Sequence, residues 1–96
     1  MADYEVVGRE TIPDVSSSVG FTSTEIPPTK SYVRYAIIQA IDGNIRFTLD
    51  GTTPTASLGL RLLQDASVEV WGYSVLIDFL CIDDSGTAKL EVVYMR

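Results

Sequence analysis

The side chains able to do chemistry are few, and most have a structural use. The 96-residue chain contains no histidine, which removes the commonest general base, the commonest metal ligand and every Ser-His arrangement. Its one cysteine, Cys81, lies inside the apolar run Val75–Ile82. Burial there raises a thiol's pKa and makes it a small hydrophobe rather than a nucleophile. Paired carboxylates underlie glycoside hydrolysis, and the candidates are Asp42, Asp50, Asp65, Asp78, Asp83 and Asp84. All but Asp78 fall in turn signals, where aspartate is favoured because its carboxylate accepts local backbone N–H groups. Asp78 interrupts an apolar run, where an unpaired carboxylate is costly; an arginine partner, a strand edge or a subunit interface would each accommodate it. Asp83-Asp84-Ser85 offers too few oxygens for calcium and lacks the EF-hand spacing. Gly51 and Gly59 are followed by neither a helix nor a Lys-Ser/Thr pair, so they make no phosphate loop. Trp71 and Tyr73 could form a sugar-stacking platform; the competing reading is core edge or interface. No catalytic residue, metal ligand or cofactor is assigned, and an enzyme is not expected.

The elements that would position these residues are organised around Asn44–Gly59. Ile45, Phe47 and Leu49 alternate with polar residues, the period of a half-buried strand. Asp50-Gly51 then predicts a tight turn with positive φ at Gly51, and Pro54 fixes one φ of the loop that follows. Asp50, Gly51 and Pro54 are therefore read as a structural turn. Tyr32–Ala40 is rich in β-branched and aromatic residues and apolar on both faces in its middle, which predicts a strand covered on both sides. The turn signal Asp42-Gly43-Asn44 predicts that it forms a hairpin with Asn44–Asp50. Leu58–Leu63 reads as a short strand or an irregular edge, and further strands are expected at Ser67–Trp71 with Val68 and Val70 on one face and at Thr87–Tyr94 with Leu90, Val92 and Tyr94 inward. Periodicity alone also allows a helix of eight residues over Val75–Ile82, but its β-branched content, shortness and flanking turns favour a strand, with Ile77, Phe79 and Cys81 on one face.

Residues 1–31 lack a sustained period and carry Pro13, Pro27, Pro28 and the run Ser16-Ser17-Ser18. They read as an extended arm or loop-rich lead-in to a domain over 32–96, with short strands at Tyr4–Val7 and Val19–Thr22 as options. Pro27-Pro28 predicts polyproline-like or turn geometry. Tyr4, Val6, Val7, Ile12 and Phe21 in this arm, together with Trp71 and Tyr73, are the candidate interface residues, docking on their own domain or on a neighbouring subunit. Removing Met1–Ser18 is expected to leave the β-domain folded. Short strands separated by turn signals, with no amphipathic helix between them, predict an all-β fold: a small antiparallel β-sandwich or jelly-roll-like barrel.

Composition narrows the function classes. A chain this short buries only about 60–65% of its unfolded surface, so strands apolar on both faces favour self-association. Thirteen acidic against seven basic residues give a net charge of −6, which argues against a phosphate-backbone partner. One cysteine allows no intrachain disulfide and suits a reducing compartment. Asp3 and Glu5 stand where a secretory signal would be basic, and no apolar run approaches about 18 residues, so neither a signal peptide nor a transmembrane helix is expected.

The run Ala36-Ile37-Ile38-Gln39-Ala40, then Ile45-Arg46-Phe47, then Asp50-Gly51-Thr52-Thr53-Pro54-Thr55-Ala56, Gly59 and Leu90-Glu91-Val92-Val93-Tyr94 form one layout, preceded by Gly20-Phe21-Thr22-Ser23 and Ile26-Pro27. This layout, over roughly Gly20 to Tyr94, resembles small all-β virion proteins of tailed bacteriophages, including capsid cement and decoration proteins. The resemblance carries no active-site motif. It implies a structural component made in the host cytoplasm and placed on the capsid surface of the virion, binding the major capsid protein, often as an oligomer, with a trimer favoured. The alternative from another class is a small carbohydrate- or protein-binding module using Trp71, Tyr73 and the Asp50–Thr55 loop.

Overall fold

A computed structural model of the chain describes residues 4–21, 32–55, 57–84 and 87–96. Along the chain run β1 (Val6–Ile12), β2 (Tyr35–Ile41), β3 (Ile45–Thr48), β4 (Leu60–Leu62), β5 (Ser67–Trp71), α1 (Tyr73–Asp78), β6 (Leu80–Asp83) and β7 (Lys89–Met95). The strands form two antiparallel sheets, one of four strands in the order β1-β7-β2-β5 and one of three in the order β4-β3-β6. The all-β class is as the sequence predicts. One core joins the sheets. Ala36, Ile38 and Ala40 of β2 and Leu90, Val92 and Tyr94 of β7 face Ile45 and Phe47 of β3, Leu62 of β4 and Cys81 of β6. The inward set expected for β7 is the set that is buried.

The lead-in differs most from its expected form. Of the two dockings expected, the structure shows the first, and in a form the sequence did not suggest: Val6–Ile12 is an edge strand of the domain itself, paired along β7 from Val6 opposite Met95 to Ile12 opposite Leu90. The register shifts between Val6 and Gly8, leaving Val7 as the extra residue of a bulge. A bulge breaks the alternation of period two, which is why the segment carries no readable strand period. Val15 and Phe21 also enter the core, so residue 31 bounds no separate unit. Truncation through Ser18 would remove core, contrary to the expectation above. Val19 bridges Cys81 through Val19 N–H to Cys81 O at 3.0 Å and Cys81 N–H to Val19 O at 2.8 Å, which covers the outer edge of β6. The geometry expected at Pro27-Pro28 concerns residues outside those described.

Two further expectations are corrected. β2 and β3 do not form a hairpin; they lie in different sheets. A hairpin would set Ile38 and Phe47 side by side, whereas a corner sets them across the core. Both satisfy the same alternation, so the Asp42-Gly43 signal does not choose between them. Asp42 takes φ 60 at this corner, which is pinned by Thr87 Oγ1 donating to Asp42 O at 2.8 Å and by Asn44 Oδ1 accepting from Gln64 N–H at 2.7 Å.

The run Val75–Ile82 is not one strand. It begins within a helix capped by Gly72 and becomes strand at Leu80. Helical spacing puts Leu76 and Phe79 in the core, both fully buried, and turns Ile77 and Asp78 outward. Asp78 is therefore solvated, and the cost of a carboxylate in an apolar strand does not arise. Six residues are too few for a helix to stand on propensity; burial of Leu76 selects it.

Candidate functional site

The Asp50–Thr55 loop is held by its own polar groups. Asp50 Oδ1 accepts the Thr52 N–H at 3.1 Å, which holds the Asp50 carboxyl below the usual carboxylate range. Thr48 Oγ1 donates to Thr52 O. Pro54 is fully buried, and Thr55 and Leu58 exchange backbone bonds of 3.0 and 3.2 Å. Gly51 has φ 84 with open space around a would-be Cβ, as the turn signal predicts. Beside the loop lies an open groove of about 350 Å³ lined by Phe47, Thr48, Leu49, Asp50, Gly59 and Leu60. Leu58, Leu60 and Leu63 are about half exposed along it and β4. This apolar strip on the small sheet was not legible, because exposed leucines at an irregular edge have the same composition as core leucines.

The second surface is the outer face of the large sheet. Strand registers arrange it in three rows, each read from β1 through β7 and β2 to β5. The first is Val6, Met95, Tyr35 and Trp71; the second is Arg9, Val93, Ile37 and Glu69; the third is Thr11, Glu91, Gln39 and Ser67. Its first row is apolar, its middle row is apolar between charged ends, and its third row is polar. At one end Trp71 stacks on Tyr35 with centroids 4.1 Å apart and planes at 13°, and Tyr4 meets both rings edge-on at 5.5 and 5.8 Å. Trp71 Nε1 donates to Glu69 Oε1 at 3.0 Å. Desolvation and then the Glu69 charge push the Tyr35 phenol up. The chain ends close this corner, with Glu5 and Arg96 exchanging backbone bonds of 3.2 and 3.1 Å and the Arg96 guanidinium 5.2 Å from the Tyr32 centroid.

The sequence-derived interface residues divide. Tyr4, Val6 and Trp71 are exposed, whereas Ile12 and Phe21 are buried in the domain's own core and Val7 packs against it. Tyr73 opens α1 and also packs on the core. The stacking partner of Trp71 is Tyr35, and the Asp50–Thr55 loop belongs to the other sheet, so the three parts of the proposed sugar platform do not assemble as one. Sequence reasoning missed Tyr35 and Glu69, because register alone brings them beside Trp71.

The remaining chemistry is structural. Cys81 is fully buried, and burial pushes its thiol up to about 12. Asp84, with 9% of its side chain exposed, sits 3.0 Å from Arg61 and 3.7 Å from Arg46. Asp42 pairs with Lys89 at 3.5 Å. Among the described residues no three His, Cys, Asp or Glu side chains cluster as a metal site, and no helix is long and apolar enough to cross a membrane. Comparison with known proteins finds no matching family model, no matching curated protein and no matching solved structure, so the reading of function rests on these two surfaces and on the resemblance of the sequence.

Proposed function

We propose that the protein is a structural virion component that docks on the major capsid protein of a bacteriophage shell and stabilises or decorates it without chemistry. The observation that carries the binding role is the pair of apolar surfaces on opposite sheets of one small domain: the exposed Leu58–Leu63 strip with its groove, and the outer face with exposed Val6 and Trp71 beside half-buried Ile37 and Val93. A protein that bridges neighbours needs two such surfaces, and contiguous exposed apolar area on a small soluble domain marks interaction sites. The capsid as partner comes from the sequence resemblance alone. The acidic balance suits an outer component that must not adhere to nucleic acid.

The groove beside Leu60 is the shell-facing surface in this reading, since an edge strand with apolar side chains accepts a protein partner. The test mixes purified protein with undecorated shells from the same source and measures occupancy and shell rupture temperature. Saturable occupancy with a raised rupture temperature is expected, and Leu60→Asp should lower occupancy at least tenfold while leaving the fold intact. Absence of binding to those shells would refute the capsid reading, and tight binding to a glycan array would put the carbohydrate module in its place.

A further inference from the structure

The outer face of the large sheet has a property that neither its composition nor the capsid reading requires: its rows are self-complementary. Take a two-fold axis lying against this face, parallel to the strands and centred between β7 and β2. It places β1 of one copy over β5 of a second copy, and β7 over β2. In the middle row Arg9 then faces the second copy's Glu69, and Val93 faces the second copy's Ile37. In the row above, Val6 faces Trp71, and Met95 comes opposite the aromatic cluster in which Tyr4 and Trp71 cover Tyr35. In the row below, Glu91 faces the amide of Gln39. Charge meets opposite charge at both ends of the middle row, and apolar meets apolar between them. Arg9 and Glu69 are both exposed, and among the described residues neither forms an ion pair within its own chain.

We propose that this face is an isologous dimer interface, with a second copy of the chain as its occupant, packed sheet on sheet and registered by reciprocal Arg9–Glu69 pairs. Face-to-face sheets pack about 10 Å apart with their strands rotated by about 30°; the axis is then inclined to the strands by half that angle, which leaves the pairing at the row ends within reach of long side chains. An isologous contact requires one patch to complement itself, which an ordered row of cation, apolar, apolar, anion does. A shell protein or an unrelated partner would need no such symmetry in this chain.

The area sets the expected strength. Four strands spaced about 4.8 Å span roughly 19 Å, and the seven residues of β7 at about 3.4 Å each span roughly 24 Å. The footprint is roughly 450 Å² per copy and roughly 900 Å² in total, below standard-size interfaces and in the range of transient ones. The dimer should therefore dissociate in the micromolar range, and the opposing charges at the row ends decide its register.

The experiment is sedimentation velocity over a dilution series, followed in parallel by the emission of Trp71, the only tryptophan. Wild-type protein should pass from monomer to dimer with a concentration-dependent blue shift. Arg9→Glu and Glu69→Arg should each weaken self-association at least tenfold, because each places like charges at both ends of the middle row. An equimolar mixture of the two should restore a dimer, since the two variants present opposite signs to one another. The double variant R9E/E69R should associate as wild type does, and far-UV circular dichroism checks that each variant is folded. A wild-type monomer at hundreds of micromolar, a three-fold assembly, single variants that dimerise unchanged, or a mixture that stays monomeric would each overturn the proposal. These outcomes are independent of shell binding, so the dimer and the capsid reading fail separately.

Discussion

Three glycines separate two costs that are usually confounded. At Gly51 the backbone has φ 84 and a methyl group would meet nothing within 4 Å. Gly51→Ala therefore incurs only the left-handed penalty, about 1 kcal/mol. Gly20 has ordinary φ, but its Cβ would lie 2.8 Å from Phe79 O, a backbone atom fixed by the bridge between Val19 and Cys81. Gly20→Ala therefore incurs only a packing penalty, about 1–3 kcal/mol. Gly59 combines the two, with φ 125 and a Cβ 3.0 Å from Phe47 O. It lies against the central strand of the small sheet, where neither chain can retreat without losing the β3–β4 pairing. Gly59→Ala should cost about 3 kcal/mol or more. At about 4–8 °C per kcal/mol for a domain of this size, Gly51→Ala should lower the melting temperature by about 4–8 °C and Gly59→Ala by at least about 12 °C. Thermal melts followed by far-UV circular dichroism, with urea titrations as a second measure, provide the assay. Equal melting temperatures for Gly51→Ala and Gly59→Ala would refute the reasoning, because they would mean that the close approach to Phe47 contributes nothing.

Two further outcomes follow from the core. Cys81 should resist thiol labelling in the native protein and react on unfolding; because burial pushes its thiol up to about 12 from the ordinary 9.0, the stability that this burial contributes is complete below about pH 9 and is lost as pH rises toward 12, and rapid native labelling would remove it from the core. Deleting residues 1–18 should abolish cooperative unfolding rather than leave a folded domain, since it takes away β1, Ile12 and Val15 together; a truncated chain that melts cooperatively near the wild-type temperature would contradict the pairing of β1 with β7.

The sequence by itself determined the all-β class, the inward set Leu90, Val92 and Tyr94, the burial of Cys81 and the positive φ of Gly51. Each follows from a local rule: alternation decides which side chains share a face, and an Asp-Gly pair decides where the chain can reverse. The same rules could not place Val6–Ile12, because the bulge at Val7 shifts the alternation midway along the strand. They could not separate a hairpin from a corner at Asp42-Gly43, since both keep Ile38 and Phe47 inward. They misread Val75–Ile82, where an apolar segment satisfies helix and strand alike and burial of Leu76 and Phe79 decides. The candidate surfaces were the least legible. Tyr35, Trp71, Val93 and Glu69 come from three strands far apart in the chain, and they share one face only because the β7–β2–β5 register aligns them. Register is a property of paired strands, fixed by the whole core at once, and no single stretch of the chain encodes it.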